Sequence, residues 1–282
     1  MTVGIVDDGP KPADGSQTLV LHVGYRGAGF AGYAEQDGQR TVAGELRRAL
    51  ETLLRRPCEL TCAGRTDAGV SALGQYVSLP VEGAELAGRE PRRMWRSLMA
   101  LTPEDISVRG LYLAPEGFSA RFDAQERAYR YRIACGNAQP VLAWDHAWWL
   151  RAPLDVQAMN AAAQPLVGEH DFTSFCKVSS AAKLREDGRS LSRCLRRVEV
   201  CETCEAGEDL VCVDVVGNAF LHNMVRIMVG TLVEVGRGNR PIGWVAEALA
   251  AQDRRAAGPT APAKGLVFER VTYAPELLTP WQ

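Results

Sequence analysis

An arginine, a threonine and an aspartate stand between glycines in Ala63-Gly64-Arg65-Thr66-Asp67-Ala68-Gly69-Val70, just after a short apolar run and ahead of Gly74-Gln75. The outline Gly64-x-x-x-x-Gly69 is that of a phosphate-cradling loop. Such a loop needs a lysine directly after its second glycine to reach the phosphates, and Val70 occupies that place. Asp67 would also put a negative charge where an anion must sit. Two readings of the segment remain. In one it is a turn whose backbone is capped by Asp67; in the other it is a loop that offers the Asp67 carboxylate as a nucleophile or base.

A second group lies on the apolar run from Ala219 to about Val235, which the pattern predicts to be one long buried helix. His222, Arg226, Gly230 and Glu234 recur at spacing four and make one narrow polar stripe. A guanidinium on a mostly apolar helix needs a neutralising partner. Asp67 would serve, although 159 residues separate it from Arg226, and a carboxylate held by an arginine stays charged at neutral pH. The competing arrangement pairs Arg226 with Glu234 or Asn223 at the protein surface. A third group, Arg121 to Tyr131, interleaves basic residues with aromatics. Strand alternation puts Tyr129 and Tyr131 on one face, where they serve either as core packing or as a platform for a nucleic-acid base.

Metal chemistry has little to stand on. Cys201 and Cys204 form a lone Cys-x-x-Cys, with Cys194 and Cys212 flanking it. The run 196–204 reads as a strand turning into another at 209–216, so the two thiols would face opposite sides. The four histidines, His22, His146, His170 and His222, show no metal or triad spacing. Eight cysteines without a secretory leader are expected to be reduced.

These residues must be positioned by a core, and 282 residues at 46% hydrophobic and 23% charged suffice for one large or two small domains. The net charge of -2 gives no strong basic field, yet the basic residues are 28 arginines against four lysines. Arginine suits phosphate recognition and base stacking, so a locally positive cleft stays open. Residues 1–17 read as a disordered tail with neither a basic start nor an apolar core. No run of 18 apolar residues occurs, so no membrane span is expected, and a soluble cytoplasmic protein is the default.

Leu19 to Tyr25 alternates apolar and polar positions as a strand entering a glycine-rich turn, and Thr41 caps a helix whose apolar positions are Val42, Leu46, Ala49, Leu50 and Leu53. Short strands follow at 59–63 and 76–79, then a helix at 91–99. Later come a strand at 129–135, helices at 155–167 and 241–252, and a last strand at 266–273. Lys177 to Ser192, rich in Ser, Arg and acids, reads as a mobile loop. Strands and helices do not alternate strictly, which favours an α+β fold with a largely antiparallel sheet.

From about residue 19 to 273 these elements resemble the TruA family of tRNA pseudouridine synthases. The run 63–70 with Gly74-Gln75 is similar to the family's catalytic motif. Tyr25, Gly27, Phe30 and Gly32, then Phe118 to Phe122 with Tyr129 to Tyr131, are similar to flanking motifs in family order. So are His170 to Phe175, Phe220 to Arg226 with Gly230, and Ala263 to Leu266. The resemblance implies isomerisation of uridine to pseudouridine at about positions 38 to 40 of the tRNA anticodon stem-loop, by a homodimer without metal or cofactor. Asp67 would be the catalytic aspartate. Arg65 would help displace the target base, Tyr129 would lie against it, Arg226 would be the basic partner of Asp67, and Leu266 an apolar wall. Asp67 could attack the sugar, attack the ring or remove a sugar proton, and Tyr129 could stack on uracil or take its C5 proton.

The implied fold is two similar α+β halves, 18–112 with the Asp loop and 113–282 with Tyr129 and Arg226. Their mixed, largely antiparallel sheets, flanked by helices, would join around an active cleft. Two departures lie beside that cleft: Tyr33-Ala34-Glu35-Gln36 lacks the family's arginine, and Ser71 stands where histidine is usual. A non-catalytic RNA-binding relative would be favoured by loss of Asp67, Tyr129 or Arg226, and all three are present. A nucleotide-binding enzyme would need the missing lysine.

Overall fold

The computed structural model describes residues 15–281. The expected tail therefore falls mostly outside the described residues, while Ser16 and Gln17 already belong to the first strand. In chain order the first elements are β1 (Ser16–Tyr25), α1 (Val42–Leu54), β2 (Thr61–Cys62), β3 (Ser71–Glu82), α2 (Gly83–Leu86), α3 (Pro91–Leu101), β4 (Ile106–Ala114) and β5 (Glu126–Cys135). They are followed by β6 (Trp148–Leu150), α4 (Val156–Ala163), β7 (Gly168–Asp171), α5 (Val178–Glu186), β8 (Ser192–Glu205) and β9 (Glu208–Gly217). Last come α6 (Met224–Gly236), α7 (Trp244–Ala251), β10 (Leu266–Thr272) and β11 (Thr279–Pro280).

Two compact units account for these elements. The first gathers 15–66, 72–125 and 271–281, and the second gathers 67–71 and 126–270, so the Asp67 loop groups with the later chain. In the first unit the strands run β11-β4-β1-β3, with β2 beside β3, and these pairings are antiparallel. The strand expected from Leu19 to Tyr25 is β1, which lies between β3 and β4, and Val20 is as fully buried as Leu19 and Leu21. Thr41 accepts the Gly44 N–H at 3.3 Å and starts α1, which ends where Arg55 turns left-handed at φ 58°.

The second unit orders its strands β10-β5-β9-β8-β7. Here β5–β9, β9–β8 and β8–β7 pair antiparallel, and β6 adds in parallel beside β5. The class is α+β with mostly antiparallel sheet, as the mixed element order predicts.

Two expectations in this unit need correction. The segment 177–192 is not an open loop: α5 forms within it, because Ala181, Ala182 and Leu184 favour a helix and Ala181 is buried. Gly188, at φ +65°, then closes the helix end, and Arg189 N–H donates to Leu184 C=O at 2.8 Å. The long helix also starts later than Ala219. Asn223 sits left-handed at φ 63°, a conformation its short polar side chain tolerates, and α6 begins only at Met224. His222 is thus outside the helix that carries Arg226, Gly230 and Glu234.

Candidate active site

The glycine-bounded loop is held from within. In the first unit, Gln75 is fully buried, and its side-chain amide donates to Gly64 C=O at 2.6 Å while its Oε1 accepts the Gly64 N–H at 3.3 Å. The Tyr25 hydroxyl lies 2.7 Å from Thr66 Oγ1, and Tyr33 N–H donates to Thr66 C=O at 3.0 Å. Burial drives the Tyr25 hydroxyl well above its ordinary range, so it remains a neutral hydrogen-bonding group. With Gly64 and Thr66 anchored, Arg65 is the exposed residue between them.

In the second unit the turn after Asp67 is closed by backbone. Val70 N–H donates to Asp67 C=O at 3.1 Å, and Gly69 supplies the left-handed step at φ +79°. This leaves the Asp67 carboxylate free of the capping role that one reading of the sequence assigned to it. Val70 is buried, so no cation reaches a phosphate from that position.

Arg226 Nη1 donates to Asp67 Oδ2 at 3.1 Å, so the structure brings together the two residues expected to pair. The same nitrogen donates to Asn223 Oδ1 at 3.1 Å, and Nε donates to Ala261 C=O at 2.8 Å. Glu234 is engaged elsewhere, with Asn239 and Arg237. Of the two competing in-helix partners, then, Asn223 is used in addition to Asp67 and Glu234 is not. His222 Nε2 stands 3.4 Å from Asp67 Oδ1, and Ser180 Oγ on α5 lies 2.8 Å from His222 Nδ1. Sequence reasoning missed both contacts. Its only signal was the spacing of His222 and Arg226, which it attributed to a helical stripe that His222 does not join.

Gly230 explains how Arg226 is aimed. A Cβ there would lie 1.8 Å from the Pro259 carbonyl oxygen, so only glycine lets the 258–261 strap lie against α6. Thr231 Oγ1 accepts the Gly258 N–H at 2.9 Å, and Ala261 N–H donates to Arg226 C=O at 3.0 Å. The strap thereby delivers the carbonyl that grips Arg226 Nε. Gly230→Ala should destabilise the protein by about 1–3 kcal/mol through overpacking, read as a lower melting midpoint. An unchanged midpoint would show that the strap can move away without cost.

Tyr129 on β5 is buried, stacked on Phe268 of β10 with ring centroids 4.7 Å apart and edge-on to Phe220 at 4.9 Å. Leu266 is two residues from Phe268 on β10, the neighbouring strand, so alternation puts it on the face that Tyr129 shares. Tyr131, on the same side of β5, is fully buried and donates its hydroxyl to Pro262 C=O at 2.7 Å. Gly265 meets that ring closely enough that any Cβ would clash with it. Tyr129 and Leu266 thus form an apolar group in the second unit, which also holds Asp67, Arg226 and His222, while Arg65 belongs to the first unit.

Among the described residues no group of three or more His, Cys, Asp or Glu side chains is placed to hold a metal ion. Burial pushes the Cys62 thiol up to about 11 and the Cys212 thiol up to about 12, so both stay protonated and unreactive near neutrality. No described helix is long and apolar enough to cross a membrane.

The family model for tRNA pseudouridine synthases matches residues 162–274. The chain is 43% identical over 268 residues to tRNA pseudouridine synthase A of Frankia casuarinae, covering 93% of this chain and 92% of the relative. It is 40% identical over 256 residues to the protein of that name from Hydrogenovibrio crunogenus, covering 90% and 92%. It is 39% identical over 270 residues to that of Pseudomonas aeruginosa, covering 95% and 90%. Identity of this extent over nearly the whole of both chains, together with the motifs at Asp67 and Arg226, means that the chain belongs to the TruA family of tRNA pseudouridine synthases.

Proposed function

We propose that this protein isomerises uridine to pseudouridine in the anticodon stem-loop of tRNA, at about positions 38 to 40, as a cytoplasmic homodimer. The observation that supports a catalytic role for Asp67 is its carboxylate, held on one oxygen by Arg226 and approached on the other by His222. The reaction breaks the bond from N1 to C1′, turns the uracil and joins C5 to C1′; C5 gives up its proton and N1 takes one up, so the product is an isomer at the same oxidation state. It needs a carboxylate as nucleophile or base and a uridine taken out of its stack.

In this reading Asp67 is that carboxylate, and Arg226 orients it and offsets its charge. Tyr129 and Leu266 present the apolar surface that the uracil ring lies against. Arg65, exposed between two anchored residues, helps displace the base from the RNA stem. An open cavity of about 470 Å³, where Lys177, Arg254 and Asn223 line the wall together with apolar Val178 and Ile227, places two cations beside the Asn223 side chain that accepts from Arg226, which suits a phosphate backbone.

The decisive experiment is incubation with unmodified tRNA followed by nucleoside mapping of the anticodon arm. Pseudouridine at positions 38 to 40 supports the reading, and product confined to another arm of the tRNA overturns the site assignment. The same assay run after exhaustive chelation should give an unchanged rate. Loss of turnover with recovery on adding zinc would return attention to Cys201 and Cys204.

A further inference from the structure

We propose that His222 is a positioning residue for Asp67 and that Ser180, on α5, sets the tautomer in which it acts; this rests on the reading of Asp67 as the reacting carboxylate. The two oxygens of Asp67 have different neighbours. Oδ2 accepts from Arg226, while Oδ1 faces His222 Nε2 at 3.4 Å. A carboxylate only accepts hydrogen bonds, so Nε2 must carry a proton for this contact to be attractive. A neutral imidazole then has an unprotonated Nδ1, which needs a donor. The Ser180 hydroxyl, 2.8 Å from Nδ1, is that donor.

The pair is also fixed through the backbone. Lys177 N–H donates to His222 C=O at 3.1 Å, so the start of α5 and the residue before Asn223 are joined twice. The left-handed Asn223 holds His222 off the helix, which separates its side chain from the helical row of Arg226 and lets the two approach Asp67 on different oxygens. At 3.4 Å the His222 contact is longer than a formed hydrogen bond usually is. Contacts of this kind shorten when a substrate closes the site. The function of His222 is thus to stop Asp67 rotating about its bond to Arg226, so that the reacting oxygen keeps one direction.

Two measurements test this. The first needs no substrate: nitrogen NMR of the histidine rings, at a pH where imidazole is neutral, should show His222 protonated on Nε2. Ser180→Ala should shift it towards a mixture of tautomers, and Ser180→Thr should restore it. A wild-type ring protonated on Nδ1, or one indifferent to Ser180→Ala, overturns the proposal.

The second is the single-turnover rate at saturating tRNA together with the tRNA affinity. His222→Ala should lower the rate by about tenfold or more with affinity within about twofold, and His222→Gln, which keeps an N–H donor, should recover part of the loss. Ser180→Ala should slow the rate by several-fold and Ser180→Thr should restore it. Adding Ser180→Ala to His222→Ala should cost nothing further, because the serine acts only through the histidine. Additive losses, or a Ser180→Ala rate equal to wild type, would refute the coupling. Should His222→Ala not fold, the Ser180 pair on the partly exposed face of α5 decides alone. Absence of pseudouridine with the wild-type protein would instead defeat the proposed function, and the NMR result would stand apart from it.

Discussion

Asp67→Asn should give a folded protein that forms no pseudouridine and binds tRNA within about tenfold of wild type, a difference of about 1.4 kcal/mol or less. The change is nearly isosteric and removes the charge and the oxygen proposed to react while leaving the loop's anchors untouched. Those anchors are Gly64 with Gln75 and Thr66 with Tyr25 and Tyr33, and none uses the Asp67 side chain. Arg226 is not orphaned by the substitution either, since Ala261 C=O and Asn223 Oδ1 continue to accept from it. The fold should therefore survive, which an unchanged melting curve would verify. Product from Asp67→Asn at a rate near wild type would remove this residue from the mechanism, and loss of tRNA binding by far more than tenfold would make it a binding residue.

Arg226→Met should lower turnover by about a hundredfold or more, the scale on which removal of one preorganised electrostatic group acts. Methionine suits the surroundings, because eleven of the thirteen residues of α6 are buried and its neighbours are apolar. The helix should stay in place while Asp67 loses the donor to Oδ2. Arg226→Lys should restore only part of the activity. A lysine keeps the charge, but a compact ammonium cannot reproduce the planar fork with which one arginine serves Asp67, Asn223 and Ala261 together. Single-turnover rates of the three proteins at saturating tRNA provide the comparison. Equal rates for Arg226→Met and wild type would mean that Asp67 needs no partner, and full rescue by lysine would mean that charge alone matters.

Much of the site is legible in the amino-acid sequence because local chemistry is local. Glycines at 64 and 69 mark a loop, and the lack of a lysine at Val70 removes the phosphate-loop reading. An arginine on an apolar run demands an acid, whatever the fold. Strand alternation in β5 correctly pairs the faces of Tyr129 and Tyr131, and Thr41 correctly starts α1.

Other features arise only from tertiary structure, and each for a definable reason. A spacing of four reads as a helical stripe, but Asn223 can turn left-handed at little cost, so His222 leaves the helix and meets Asp67 and Ser180 instead. The segment 177–192 looks too polar to pack, yet burial of Ala181 and the Gly188 stop are enough to make α5. Gly230 carries no chemistry of its own; its meaning comes from the Pro259 carbonyl that lies where a Cβ would be. Sequence by itself determined the loop that exposes an aspartate and the arginine that must find an acid. The choice of Asp67 as that acid, with Asn223, His222 and the Ala261 carbonyl around it, was made by the tertiary structure, since only folding brings groups 159 residues apart to 3.1 Å.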